Sequence, residues 1–150
     1  MTTAKLLQEV RKSPLLLCAC CLIAIRHTTE DLATGIAPHL FQEAKLLLSA
    51  GLLVMPQSLA FFQASLILSL WSTTIGQDLL SIDSWLTSGF ALQHSFASDL
   101  FSPFINQRPS ITPLSREEIS CLSVWNHLCL VHLQYDFVEP FPSFLLADHV

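Results

Sequence analysis

The sequence predicts an all-α chain of about five helices, and three observations carry that prediction. Apolar residues recur at intervals of three and four, and no stretch alternates apolar with polar residues as a half-buried strand does. No Asn-Gly pair joins two alternating runs, so no tight hairpin is signalled. Helix starts and stops punctuate the chain: Ser13-Pro14, Met55-Pro56, Asp83 and Ser115-Arg116-Glu117-Glu118. At 150 residues the length points to one domain.

The first helix is expected at about 14–27, with Ser13 as N-cap and Pro14 in the first turn, where its missing N–H costs nothing. It is apolar on nearly every face and so should be central. The second is expected at about 36–53. Gly35 and Pro38 mark its start, Leu40, Phe41, Ala44 and Leu48 give its period, and Met55-Pro56 stops it. The third, at about 58–72, carries Ser58, Ser65, Ser69 and Ser72 on one stripe, where small side chains let a neighbour approach, with Leu59, Phe62, Leu66 and Leu70 on another face. Gly76 is expected to close it.

The fourth, at about 82–98, has Asp83 in its first turn, where a carboxylate meets the positive end of the helix dipole. Trp85, Leu86, Phe90 and Phe96 give it bulk, and Gly89 signals a close helix crossing. A loop with Pro103, Pro109, Pro113 and an exposed Arg108 follows at 102–114. The fifth helix, from 115 to about 135, opens on a capping box, Ser115 with Glu118. Ser120, Ser123, His127 and Gln134 form its expected solvent stripe, with Leu122, Trp125, Cys129 and Leu133 facing the other way. The expected organisation is therefore a helical domain over 1–135 and an irregular Pro- and Phe-rich tail over 136–150.

Composition narrows the function classes. The chain is 51% apolar and 13% charged, against about 25% charged in an average soluble domain. Its mean hydropathy is +0.52. That much apolar surface excludes intrinsic disorder. Seven Lys and Arg against twelve Asp and Glu give a net charge of −5, which excludes a basic surface for a phosphate backbone. The chain either packs against something else, sits near a membrane, or is one piece of a larger protein.

The membrane reading has two candidate segments. Leu15 to Ile25 follows Lys5, Arg11 and Lys12 like the apolar core of a signal peptide, but it ends in Arg26-His27 without a small-x-small cleavage site. Leu46 to Gln77 is uncharged, yet Pro56, Gln57 and Gln63 divide it into two shorter buried helices, neither reaching the ~20 apolar residues of a span.

No catalytic constellation emerges. The five cysteines, Cys18, Cys20, Cys21, Cys121 and Cys129, are odd in number and lie inside apolar helical runs, as reduced buried thiols do. Cys18 and Cys21 form a C-x-x-C, but mid-helix and without a preceding strand. His127 and His132 project about 140° apart on a helix and cannot share a metal. Cys129 with His132 could, but no second pair with ligand spacing exists. His94, Ser95 and Asp99 lack a strand-turn-helix elbow, Asp78 and Asp83 lack a calcium-loop pattern, and no phosphate-cradling glycine motif occurs. No cofactor, metal or enzymatic activity is expected. The residues to watch are Trp125, Asn126 and His132, because polar groups on an otherwise apolar helix need partners. Asn126 is expected toward a packed surface and His132 hydrogen-bonded to a neighbour, together marking an interface or a ligand pocket.

Four strings carry a resemblance: Ser13-Pro14-Leu15-Leu16-Leu17 leading through Leu22-Ile23-Ala24-Ile25 to Arg26-His27; Gln63-Ala64-Ser65-Leu66-Ile67-Leu68-Ser69-Leu70-Trp71; Ile82-Asp83-Ser84-Trp85-Leu86-Thr87-Ser88-Gly89-Phe90-Ala91-Leu92-Gln93-His94; and Val124-Trp125-Asn126-His127-Leu128-Cys129-Leu130-Val131-His132-Leu133. Over about Lys12 to Tyr135 the chain resembles the middle homology region of fungal zinc binuclear cluster transcription factors. Regulators of secreted-protease genes are one subgroup it is similar to. The resemblance implies an all-α regulatory domain, transcriptional regulation and a nuclear location. It also implies action by packing against the rest of the protein, a partner, a second copy or a small apolar ligand. The family's DNA-binding module, six cysteines holding two zinc ions amid basic residues, has no counterpart here, so this chain is expected to bind neither zinc nor DNA itself. The Pro- and Phe-rich tail stands where the family's domain continues, which suggests a truncated or fragmentary chain. A membrane-associated helical protein is the alternative reading.

Overall fold

Side-chain caps mark the starts of four of the helices. The fold comes from a computed structural model that describes residues 3–75, 78–105 and 113–138. In chain order the elements are α1 (Thr3–Arg11), α2 (Pro14–Ile25), α3 (Glu30–Gly51), α4 (Leu59–Leu70), β1 (Ser72–Ile75), β2 (Asp78–Ser81), α5 (Ser84–Phe96), α6 (Ser102–Ile105) and α7 (Arg116–Val138). Ser13 caps α2 by accepting from the Leu16 N–H at 3.3 Å, and Ser58 caps α4 by accepting from Phe61 at 3.4 Å. Asp83 caps α5, its carboxylate accepting from the Leu86 N–H at 2.6 Å.

The all-α class holds, with four departures. An additional helix, α1, precedes Ser13 and has no buried residue. The second expected helix begins six residues early, at Glu30 rather than about 36, and takes Pro38 inside. Glu30 and Asp31 stabilise its positive end, and the Thr34 hydroxyl donates to the Glu30 carbonyl at 2.9 Å. Pro38 lacks one amide donor, and the burial of Ala37, Phe41, Ala44 and Leu48 on the inner face offsets that loss. Thirdly, β1 and β2 pair antiparallel, Ser72 opposite Ser81 and Ile75 opposite Asp78, where no strand is expected from the sequence. Gly76 lies outside the described residues, as do Arg108 and Pro109; α6 occupies the start of the expected loop. Fourthly, α7 runs to Val138, beyond the expected end, and residues 139–150 of the tail lie outside the described residues.

The core centres on α4, which packs against α2 on one side and α5 on another, with α3 against α2 and α7 against α4 and α5. Leu22 and Phe62, Leu68, Phe101 and Leu128 are its fully buried large side chains. Of the expected serine stripe, Ser65 and Ser69 are buried while Ser58 is exposed, and the Ser69 carbonyl accepts from the Ser84 hydroxyl at the start of α5. The uncharged segment 46–77 divides among the end of α3, a loop, α4 and the hairpin. Among the described residues no helix is long and apolar enough to cross a membrane.

The capping box of α7 forms as expected. The Ser115 N–H donates to Glu118 Oε2 at 2.7 Å, and the Glu118 N–H donates to Ser115 Oγ at 3.2 Å. The Ser115 backbone amide first, and its side chain second, hold the Glu118 carboxyl below its ordinary value of 4.5. A depressed folded value means the box contributes fully above that ordinary value and is lost as pH falls through the folded one. Amide exchange at Ser115 and Glu118 is therefore expected to accelerate on acidification below pH 4.5, beyond its intrinsic change. The Glu118→Gln variant should lack that acid step; an identical profile in both proteins would refute the box.

Candidate functional site

Among the described residues, two places combine polar side chains with apolar walls. The first is the seam between α5 and α7. Gly89 sits at the crossing, where a Cβ would lie 3.2 Å from His132 Cε1. The close approach expected from Gly89 is thus with α7, and the His132 ring fills the space a side chain would take. The Ser88 hydroxyl donates to the Trp85 carbonyl at 3.2 Å and lies 3.2 Å from His132 Nδ1, so it accepts from the Nδ1–H tautomer. The Trp85 ring stacks on His132, centroids 5.8 Å apart and planes at 23°. His132 therefore has the neighbouring-helix partner that the sequence leads one to expect.

The other two expected residues fare differently. Trp125 is half-buried one heptad before His132 and so shares its side of α7; its Nε1 is buried without a hydrogen-bond partner. Asn126 is exposed, which corrects the expectation that it faces a packed surface. The inner face of α7 centres on Cys121, Val124, Leu128 and Val131, while Leu133 is 51% exposed and Leu130 63%. Leu122, Trp125 and Cys129 flank that face half-buried. The helix carries apolar residues on both sides, so its rotation is fixed by α4, α5 and the gap at Gly89 rather than by its own pattern. Ser120, Ser123, His127 and Gln134 are exposed as expected.

The crossing gives a direct test. Gly89→Val places two methyl groups against the His132 ring, and overpacking of this kind costs about 1–3 kcal/mol. Chemical denaturation is expected to register a loss in that range, with shifted His132 ring protons in NMR. An unchanged midpoint and unchanged ring signals would mean the helices do not meet there.

The second place is a cavity of about 270 Å³ among α3, α4 and α5, walled by residues that include Leu48, Phe61, Ser65, Ile82, Leu86 and Phe90. Sequence reasoning misses it, although Ser65 falls on the small-residue stripe. Beside it, His94 ties the loop after α3 to α5: its Nε2–H donates to the Leu52 carbonyl at 2.7 Å, and Nδ1 lies against Met55 Sδ. Burial raises the Cys18 and Cys20 thiols, with Glu43 and Cys21 adding to the effect at Cys18, the opposite of what an attacking thiolate needs. Burial likewise raises Cys129, and Cys121 together with Glu117 and Glu118. Among the described residues no group of three or more His, Cys, Asp or Glu could hold a metal ion.

Comparison of the sequence with known proteins identifies relatives of this chain. The family described as the middle domain of the transcriptional activator of proteases prtT matches residues 1–147. The chain is similar to a transcriptional activator of proteases prtT from Aspergillus clavatus, 31% identical over 122 residues, covering 81% of this chain and 19% of that protein. It is similar also to an uncharacterized transcriptional regulatory protein of Schizosaccharomyces pombe, 38% identical over 125 residues, covering 81% of this chain and 22% of that protein. A prtT activator from Aspergillus fumigatus is 38% identical over 72 residues, covering 48% of this chain and 10% of that protein. The chain thus spans about a fifth of the first two relatives. No solved structure matches.

Proposed function

We propose a regulatory role in transcription for this chain, which belongs to the family of prtT-type transcriptional-activator middle domains of fungi. The observation that carries the role is a family match over residues 1–147, almost the whole chain. In this reading the chain is the helical regulatory region of a zinc-cluster transcription factor and works in the nucleus. DNA is contacted only through a zinc-cluster module, which these 150 residues do not include. The chain itself catalyses nothing and holds no cofactor; it acts by presenting surfaces.

The surface best suited to a protein partner or a second copy is the outer side of α7. Ile119, Asn126, Leu130 and Leu133 fall within about 60° of one another on the helix. The three apolar members are 54%, 63% and 51% exposed. A polar Asn in an apolar seam favours one register of pairing over others. Trp125 and His132 border the opposite edge of the helix, and the unpartnered Trp125 indole N–H is a donor that an incoming group can satisfy.

A chimera tests the role. Residues 1–150 replace the matching segment of the Aspergillus clavatus activator, and protease-gene transcripts are measured. The wild-type segment is expected to restore transcription; Leu130→Glu with Leu133→Glu should cut it at least fivefold, and Asn126→Ala with His132→Ala should lower it. Failure of the wild-type segment, or full activity of both double variants, removes the regulatory reading. In sedimentation the purified chain is expected to self-associate, less so with the two glutamates in place; a monodisperse monomer would contradict the outer α7 face as a pairing surface.

A further inference from the structure

We propose that the cavity between α3, α4 and α5 binds a small, neutral, mainly apolar molecule bearing one carbonyl or hydroxyl oxygen, anchored by the Ser65 hydroxyl. Ser65 is 1% exposed, lines the cavity, and its Oγ has no hydrogen-bond partner. Buried hydroxyls are normally satisfied, and a serine inside a helix can donate to a carbonyl one turn back. The other buried serines among the described residues are satisfied. Ser69 donates to Leu66, Ser88 to Trp85 and Ser95 to Leu92, while Ser98 accepts from the Leu100 N–H. The other hydroxyls lining the cavity are committed as well, Ser49 to the Leu46 carbonyl and Thr87 to the Asp83 carbonyl. Among the described residues Ser65 is thus the one uncommitted hydroxyl on an otherwise greasy wall.

Size and charge define the ligand. The pocket is open on one side, where Leu86 and Phe90 are exposed, and its volume of about 270 Å³, against about 150 Å³ for an enclosed cavity that takes benzene, suits a molecule of roughly ten non-hydrogen atoms. The one charged side chain among the described residues lining it, Lys45, is exposed, with its ammonium 5.1 Å from the centre of the Phe41 ring. An anion held among leucine and phenylalanine side chains would be desolvated without a buried partner, so the site favours a neutral molecule. A hydroxyl both donates and accepts, so it can serve either a carbonyl or an alcohol. The inference goes beyond the regulatory role: it concerns binding by the chain alone and stands or falls without any transcriptional readout.

Three isosteric probes test it by calorimetry on the purified 150-residue chain: acetophenone, isopropylbenzene and benzoate. Acetophenone is expected to bind, and benzoate to bind more weakly. In Ser65→Ala the preference for acetophenone over isopropylbenzene should fall about tenfold, while the variant melts no lower than wild type, because only an unpartnered oxygen is removed. Ser65→Leu, which fills the cavity, should abolish binding of both. Unchanged acetophenone affinity in Ser65→Ala, retained binding in Ser65→Leu, or tighter binding of benzoate would each overturn the proposal.

Discussion

Phe62→Ala is expected to cost about 3–5 kcal/mol, a large share of the ~5–15 kcal/mol that holds a domain together. Phe62 is 0% exposed on α4, the helix that touches α2, α5 and α7. Its ring meets Phe101 edge-on at 4.8 Å and 89°, and Phe61 at 5.6 Å and 84°. Truncation removes the transfer energy of the ring, forfeits both aromatic contacts, and leaves a hole that three packed helices and Phe101 close only in part. At roughly 2–4 °C per kcal/mol for a chain of this size, the melting temperature should fall by about 6–20 °C. Phe62→Leu keeps most of the volume and should cost about 1.5 kcal/mol or less. Urea titrations followed by circular dichroism separate the two; similar small losses for both would mean that Phe62 does not sit at the centre of the core.

Spacing alone puts Phe62 on an apolar face, and the features legible in the sequence share its locality. Ser13 and the Ser115–Glu118 pair act on amides within three residues, so their roles follow from adjacent letters, whereas Ser58, read as part of a small-residue stripe, and Asp83, read as a first-turn carboxylate, prove to be N-caps. Gly89 is legible because a missing side chain in an otherwise bulky helix leaves room for a neighbouring helix to come close. The illegible features depend on distant partners or conflicting local signals. Pro38 reads as a helix start, yet α3 runs through it because burial on α2 outweighs one absent amide. The strands 72–75 and 78–81 are too short for alternation to register. The rotation of α7 cannot be read from a helix greasy on two sides, which is why the sequence pattern turns Asn126 inward. At the cavity, the spacing of Ser65 reveals a small side chain but not that its hydroxyl lacks a partner; that depends on three helices at once.

The apolar excess of the composition acquires a location in the fold. Part of it fills the core, and part lies outside it: Leu46 is 64% exposed, Leu53 94%, Phe96 60% and Leu130 63%. Single exposed leucines are ordinary, but Ile119, Leu130 and Leu133 gather on one stripe of one helix. That gathering, rather than the average hydropathy, is the physical argument for a partner.

Trp71 offers the second large effect, and two substitutions there separate packing from hydrogen bonding. Trp71 is 3% exposed at the point where α4 ends and the chain turns into β1. Its indole Nε1–H donates to the Leu22 carbonyl at 3.1 Å, across 49 residues of sequence. Leu22 is among the last four residues of α2, whose carbonyls run out of in-helix donors, so the indole acts as a C-terminal cap supplied from another helix. The same ring lies 5.5 Å from Phe41, tying α3 into the contact. Trp71→Phe retains an aromatic body but deletes the donor, at an expected cost of about 1–3 kcal/mol for a carbonyl left unsatisfied. Trp71→Ala also opens the cavity and is expected to cost about 3–5 kcal/mol. Hydrogen exchange distinguishes local from global loss: Trp71→Phe should chiefly deprotect the last turn of α2, whereas Trp71→Ala should lower protection through α2, α3 and α4 together. If Trp71→Phe leaves α2 exchange unchanged, the indole does not cap that helix; if Trp71→Ala costs no more than Trp71→Phe, the side chain contributes a hydrogen bond and little packing.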